Sequence, residues 1–352
     1  MNARVLVFCL AFFLAAPLFA RDKSDLLIMK NGDRITCEIK GLAGDTLYIK
    51  VDYILSTLSL NWSKVDHVES KQLFIVKTQD GLVYSGTLST PETLGGRPIK
   101  IEVLESSEKK VELEKPQIIK MDETSAKFIQ RFNGEIGMGF TYSKGNQSTQ
   151  YNLNSDVNYP RERWSAALSY NSTLTSSTGS TASTRNEIDF NAKRLLRWNN
   201  WYYAGLADFL QSSEQGIQLQ STLGGGFGRY LKNTNHANIS LTGGFAWQQI
   251  DYQKSSVPNT PTQNVGSALI VASAKLFYFN KTNLAVSGIL LPALTEPGRV
   301  HFNLNAAYYV KLWSNLNWNI SVYGNWDNRP PPGFSGSDYG SSSGLSWTFG
   351  NH

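Results

Sequence analysis

Cysteine is nearly absent from this chain of 352 residues, which has only Cys9 and Cys37. Cys9 lies in an N-terminal apolar run that we expect to be removed, and Cys37 alone cannot form an intramolecular disulfide. Histidine is also scarce, at four residues, and none of them has the spacing of a metal site. We therefore predict no disulfide, no metal and no cofactor.

Long apolar runs are missing beyond the first 20 residues. The run from Val5 to Ala16 follows Arg4 and ends before the charged residues that begin at Arg21, and it is shorter than the ~20 residues of a membrane-spanning helix. We interpret residues 1–20 as a signal peptide cleaved after Ala20. Elsewhere no stretch reaches 18 apolar residues and the mean hydropathy is -0.28. This pattern excludes helical spans but not membrane-spanning strands.

Clustered positive charge is lacking too, although the formal net charge is +5. Lysine and arginine are scattered along the chain and no cluster of them alternates with stacking aromatics. Nucleic-acid recognition depends on such basic surfaces. Together with a signal peptide that exports the chain, their absence argues against a nucleic-acid partner.

What the chain does have is alternation. From about Gly134 onward apolar residues occupy every second position over segments of roughly ten residues, and the last segment closes on Leu345, Trp347 and Phe349. Short connections alternate with longer ones rich in Ser, Thr, Gly or Pro, such as 172–183 and 211–216. This is typical of a transmembrane β-barrel. We predict an all-β fold with an antiparallel barrel of about 12 strands over residues 131–352.

Aromatic residues decide between a membrane barrel and the alternative, a soluble β-sandwich. Many of them flank polar turns at predicted strand ends, where aromatic rings lie at the lipid headgroups of a membrane barrel. In a sandwich they would have to be core residues. The predicted interfacial aromatics are Trp164, Trp198, Trp201, Tyr202, Tyr203, Tyr278 and Trp313.

Residues before the barrel contain an internal repeat. The segment 26–30 matches 73–77, and later apolar positions align at similar spacing. We predict two tandem small β-modules, residues 25–70 and 71–123, of about five short strands each, resembling SH3-like or Sm-like domains. Such folds host many functions. The modules could stabilise the barrel or bind an envelope partner.

Three segments carry a family resemblance: 30–35 (KNGDRI), 58–65 (LSLNWSKV) and 224–231 (GGGFGRYL). With the signal peptide and the barrel, they resemble the salt-induced outer-membrane proteins, a YdiY-like family with a domain of unknown function, DUF481. The resemblance implies a barrel in the outer membrane of Gram-negative bacteria. The family has no assigned catalytic or binding residues, so it implies no mechanism.

The predicted topology and cellular location imply which partners the protein meets. An even strand count brings both ends of the barrel to one side, which places the N-terminal modules in the periplasm. We expect contact with outer-membrane lipid, with the barrel-assembly machinery during biogenesis, and with a periplasmic envelope partner. The oligomeric state does not follow from the sequence.

Charged residues on the polar face of the strands are the functional candidates, because they would line the lumen. They suit two hypotheses: a narrow conducting channel, or a passive envelope component whose lumen is plugged by charge pairs. A lipid-modifying enzyme is the less favoured alternative, because neither His236 nor His301 has a serine two positions further on, on the same strand face. We predict no catalytic residues and the lumen-lining set Asp156, Glu187, Asp189, Lys193, Asp208 and Lys311.

Overall fold

The computed structural model describes residues 25–54, 56–91, 100–105, 110–123, 131–143, 148–161, 163–177, 182–196, 199–253, 262–278, 282–313, 315–330 and 333–349. The predicted signal peptide lies outside these residues. No helix among them is long and apolar enough to cross a membrane.

The N-terminal part, called the module below, consists of nine strands. They are β1 (Asp25–Met29), β2 (Arg34–Ala43), β3 (Thr46–Lys50), β4 (Leu58–Asn61), β5 (Val65–Thr78), β6 (Val83–Ser89), β7 (Lys100–Glu105), β8 (Lys110–Glu114) and β9 (Ile118–Glu123). They form one sheet in the order β4-β3-β2-β1-β5-β6-β7-β8, with β9 paired to β2 and β5.

The two halves of the module correspond element by element. A short 3₁₀ turn precedes the last strand of each half, at Trp62–Lys64 and at Lys115–Gln117. In the first half β1 pairs with β2 and with the start of β5. In the second half the end of β5 pairs with β6 and β9. The predicted boundary between residues 70 and 71 falls inside β5, so the two halves share a strand.

Both halves also share one apolar core, which runs from Leu27 to Met121 and includes Cys37. Trp62 is its largest buried side chain, and its indole N–H points to the Lys115 carbonyl at 3.4 Å. The division into two domains and their SH3-like or Sm-like character stay predictions, since β5 and the core bind the halves into one unit.

The C-terminal part is a closed antiparallel barrel of 12 strands, which confirms the prediction. The strands are β10 (Asn133–Ser143), β11 (Ser148–Pro160), β12 (Trp164–Ser177), β13 (Ser183–Leu195), β14 (Trp201–Ser212), β15 (Ile217–Asn233), β16 (Ala237–Tyr252), β17 (Gln263–Tyr278), β18 (Thr282–Pro292), β19 (Val300–Lys311), β20 (Leu316–Asp327) and β21 (Ser337–Phe349). β10 pairs with β21 and closes the ring.

The two faces of the barrel wall differ as the alternation predicts. Large apolar side chains are exposed around the outside, for example Met138, Phe190, Leu223, Phe245 and Trp347. Polar residues between them face the lumen, where Asn, Ser and Thr predominate. A polar interior inside an apolar outer band is the arrangement of an outer-membrane barrel.

The predicted 172–183 connection is shorter than expected, because the strands on both sides continue into it. β12 extends to Ser177 and β13 begins at Ser183, so little remains of the expected 172–183 loop. The serine and threonine residues there pair across strands, as when Ser172 Oγ donates to Asn186 Oδ1 at 2.8 Å. A run rich in hydroxyl residues indicated a loop, although here it lines the lumen.

The module lies against the end of the barrel that carries Asn133 and Phe349, called the module end below. Asn200 Nδ2 donates to the Gln79 carbonyl at 2.8 Å, and Asn235 Nδ2 donates to the Ile118 carbonyl at 3.0 Å. Lys311 Nζ donates to Ser59 Oγ at 3.2 Å. These contacts join β13–β14, β15–β16 and β19 to three different parts of the module.

Candidate functional site

A cavity of about 910 Å³ lies in the lumen, bounded by both parts of the chain. The barrel contributes lumen-facing residues from β10 to β21, and the module contributes residues of β2, β3, β5 and β9 with their adjoining turns. This volume is within the range of small-molecule sites. The module therefore forms one wall of a chamber that the barrel alone would leave incomplete.

Lysines face this chamber at the module end. Lys193, Lys275 and Lys311 lie at or near the ends of β13, β17 and β19 that meet the module. Lys77 and Lys120 face them from the module. Among the described residues no carboxylate lies within ion-pair distance of Lys77, Lys193 or Lys275, whereas Lys120 Nζ lies 3.1 Å from Asp122 Oδ1. The module end thus gathers five lysines, and three of them have no ion-pair partner among the described residues.

Aromatic rings support one of these lysines. Lys193 Nζ lies 5.1 Å from the centre of the Tyr202 ring, and that ring packs against Tyr230 at 4.9 Å between centroids. A Cβ at Gly228 would overlap the Tyr202 ring, so a glycine is needed there. The Tyr202 hydroxyl is 2.8 Å from Thr242 Oγ1. Together these contacts position Lys193 inside the lumen.

Burial changes the protonation of the module's lysine. Removal of water from Lys77, together with the positive charge of nearby Lys120, lowers the pKa of Lys77 to about 8. Near neutral pH it is therefore mostly charged, and its partly buried ammonium has no ion-pair partner among the described residues. A bound anion would provide that compensation.

Carboxylates occupy the wall further from the module. On β13 and β14 oxygens of Glu187, Asp189 and Asp208 all lie within 4.8 Å of one another, and we call these three the carboxylate cluster. Asp189 and Asp208 are direct cross-strand partners. Of the described residues, these are the ones whose oxygens are close enough to share a metal ion.

One arginine partly balances the cluster. Arg185 Nη2 donates to Glu187 Oε2 at 3.0 Å, and Arg185 Nη1 is 3.3 Å from Asp338 Oδ2. Its guanidinium also lies 4.7 Å from the centre of the Tyr323 ring. These interactions link β13 to β20 and β21 across the lumen, so they narrow it at this level.

A group of buried side chains lies at the far end, opposite the module. Arg299 is buried and donates to Asp327, Glu296 and Gln263 at 2.8–2.9 Å. His301 Nε2 lies 3.6 Å from Asp327 Oδ2. Nearby a small apolar cluster comprises Leu210, Ile217, Ile250 and Tyr252. Buried charge pairs and apolar contacts therefore occupy part of the far end.

The structure brings the predicted lumen-lining residues together. Asp156, Glu187, Asp189, Lys193 and Lys311 line the chamber, and Asp208 is buried beside Asp189. Ser169 Oγ donates to Asp156 Oδ1 at 2.5 Å, and Asp156 is not one of the three clustered carboxylates. The spacing along each strand indicated their common face, but only the cross-strand register unites Asp189 with Asp208.

The predicted interfacial aromatics divide into groups. Trp164, Tyr203 and Trp313 are exposed, and Trp201 is partly exposed. Trp198 and the side chain of Tyr278 lie outside the described residues. The prediction for Tyr202 is wrong: it is 0% exposed and faces the lumen. Because strand residues alternate, Tyr202 had to point away from its neighbours Trp201 and Tyr203.

Several residues of the site were missed from the sequence. Lys275 and Arg185 occupy polar-face positions two residues from other lumen residues, so the alternation contained their signal. Lys77 and Lys120 belong to the module, and no local pattern indicates that they would face the barrel. Their role follows only from how the two parts dock.

Comparison with known proteins identifies a family for this chain but no activity. A family model described as "Protein of unknown function, DUF481" matches residues 136–349. No curated protein matches the chain.

Solved structures with a related fold include three outer-membrane barrels. The translocator domain of autotransporter NalP from Neisseria meningitidis is 10% identical, with 61% of this chain and 86% of that chain covered and a TM-score of 0.34. A porin is 13% identical, with 92% of this chain and 98% of that chain covered and a TM-score of 0.28. OmpT of Vibrio cholerae is 7% identical, with 95% of this chain and 100% of that chain covered and a TM-score of 0.30. Likenesses this weak carry no argument about function.

The family match extends over more than half of the chain, and the matched segment is the closed barrel itself. This protein is therefore an outer-membrane β-barrel that belongs to the DUF481 family of proteins of unknown function.

Proposed function

We propose that this protein is a non-enzymatic binding protein of the bacterial outer membrane, which holds a small anionic solute in a chamber closed on the periplasmic side by its own module. The observation that carries the proposal is that lysines of both parts line one cavity. A binding chamber fits this arrangement better than a permanently open channel, because the module lies across one end of the cavity and buried side chains occupy part of the far end.

Charge supports an anion as the ligand. Lys193 and Lys275 from the barrel and Lys77 from the module approach the same space without an ion-pair partner among the described residues. Hydrogen bonds between charged groups contribute about 1.5–3 kcal/mol each. A solute with two or more negative oxygens could bridge the lysines of both parts, so it would also hold the module on the barrel.

Periplasmic placement of the module is part of the proposal. At the module end only three to five residues separate consecutive strands, for example 161–163, 234–236 and 312–315, and short turns are typical of the periplasmic side of such barrels. Periplasmic partners would meet the module from outside, while outer-membrane lipid would surround the barrel and the barrel-assembly machinery would insert it.

The test is calorimetric titration of the full-length protein, folded in detergent micelles, with inorganic pyrophosphate. The double variant Lys193→Gln/Lys275→Gln should bind at least about tenfold more weakly, since about 1.4 kcal/mol corresponds to tenfold. Lys232→Gln, at an exposed position outside the chamber, is the matched control and should bind like the wild type. Equal affinity of the double variant and the wild type would contradict the proposal. So would a steady open conductance of the full chain in planar bilayers.

A further inference from the structure

We propose that Glu187, Asp189 and Asp208 form a binding site for a divalent cation of the Ca²⁺ or Mg²⁺ class inside the barrel. This inference goes beyond the anion chamber and does not depend on it. The site lies on β13 and β14, and its chemistry is that of oxygen ligands and a hard cation.

Geometry is the first support. Two oxygens bound to one Ca²⁺ at about 2.4 Å are at most about 4.8 Å apart, and one oxygen from each of the three carboxylates satisfies this limit. Asp189 and Asp208 meet because they are paired across β13 and β14. Glu187 lies two residues before Asp189 on the same face. The strands therefore hold three oxygen ligands around one point.

An unpartnered buried oxygen is the second and independent support. Asp208 is only 6% exposed, and its Oδ2 has no hydrogen-bond partner among the described residues. A buried carboxylate oxygen without a partner is costly, so each such oxygen requires an explanation. Its place within the cluster points to a cation as the missing partner.

Charge balance is the third support. This part of the lumen contains four carboxylates, those of the cluster and Asp338, and one guanidinium, that of Arg185. Arg185 is engaged by Glu187 and Asp338. No described Lys, Arg or His lies within ion-pair distance of Asp189 or Asp208. One divalent cation would remove most of the remaining negative charge.

Access completes the arrangement. Glu187 and Asp189 line the chamber, so a cation can approach the cluster from water in the lumen. Water molecules would complete its coordination shell, since Ca²⁺ takes six to eight oxygen ligands and Mg²⁺ takes six. A bound ion would link β13 to β14 at the level where Arg185 reaches across to β21.

The experiment uses full-length protein in detergent micelles, freed of metal with EDTA and then of EDTA by dialysis. Titration calorimetry with Ca²⁺, and separately with Mg²⁺, should show one site per chain for at least one of the two ions. Asp208→Asn should weaken binding of that ion at least tenfold. The matched control is Asp156→Asn, which removes a lumen carboxylate held by Ser169 outside the cluster, and it should bind like the wild type.

Thermal unfolding separates a ligand role from a purely structural one. The ion should raise the Tm of the wild type, and Asp208→Asn should lose this increment without a lower Tm in EDTA, because neutralising one of three adjacent carboxylates relieves repulsion. If Asp208→Asn does not fold, Asp189→Asn replaces it in the same measurements. Absence of binding of either ion to the wild type would overturn the proposal, and so would unchanged affinity in the cluster variants. Neither result would affect the pyrophosphate titration.

Discussion

The module and the barrel are both all-β, yet they place apolar side chains on opposite sides. In the module 18 buried residues form one core around Trp62 and Phe74. In the barrel the largest apolar side chains point outward, and the described interior contains only two small apolar clusters. The same period of two therefore produces an apolar interior in one part and a polar interior in the other.

This comparison shows that the surrounding medium, rather than the strand pattern, determines which face of the strands lies inside. Water drives the module's apolar face into a core. Lipid accepts the barrel's apolar face, and the backbone groups are satisfied by closing the ring. The barrel is thus free to keep polar and charged residues in its lumen, where a site can form.

The largest expected effect comes from a matched pair of Trp→Ala substitutions. Trp62 is 2% exposed in the module core, so Trp62→Ala should cost about 3–5 kcal/mol of the module's free energy of unfolding. Trp313 is 76% exposed next to β19, so Trp313→Ala should cost less than about 0.5 kcal/mol. Pulse proteolysis in urea measures the module, and gel mobility without heating reports the folded barrel. Similar losses in both variants would contradict a difference in burial.

The second prediction substitutes arginine for two exposed aromatic residues. Tyr53 in the module is 82% exposed, and Phe245 in the middle of β16 is 72% exposed. If Phe245 faces lipid, Phe245→Arg should destabilise the barrel by about 2–4 kcal/mol. Tyr53→Arg, facing water, should change the module's stability by no more than about 0.5 kcal/mol. Unfolding in lipid vesicles compares them. An equally small effect at Phe245 would mean that the outer face is not in lipid.

Much of the fold follows from the sequence for physical reasons. Alternation defines which residues share a face of a strand, so it also indicated Asp156, Glu187 and Asp189 as lumen residues. It does not define cross-strand register, and the meeting of Asp189 with Asp208 depends on that register. Tyr202 shows that the rule must be applied to each residue: its position in a run of aromatics suggested the membrane interface, whereas its parity placed it in the lumen.

The docking of the module on the barrel cannot be predicted from the alternation of apolar and polar residues. Asn200 and Asn235 bind backbone carbonyls of the module, and any polar turn residue could do the same. Lys77 belongs to a strand whose neighbours Val76 and Ile75 are core residues, so nothing local indicates that its ammonium faces a barrel. The module-side wall of the candidate chamber is therefore visible only when both parts are seen together.

The smallest expected effect is a pH dependence of the module's stability, which tests the environment of Lys77. Burial and the charge of Lys120 lower the pKa of Lys77 to about 8 in the folded protein, from 10.5. Below pH 8 the cost of burying its charge is fully present. Between pH 8 and 10.5 the unfolded chain binds more protons, so the module's stability should rise with pH.

Lys115 contributes to the same pH dependence, because burial lowers its pKa to about 8 as well. The urea midpoint of the module, measured by pulse proteolysis from pH 7 to 9.5, should therefore increase in the wild type and increase less steeply in Lys77→Met. Lys64→Met, at an exposed lysine of the same module, should keep the wild-type slope. A slope unchanged in Lys77→Met would show that burial does not lower the pKa of Lys77, and the charge of Lys77 would then need no anion to compensate it. A saturating anion should flatten the wild-type slope, because it compensates the ammonium and raises its pKa again.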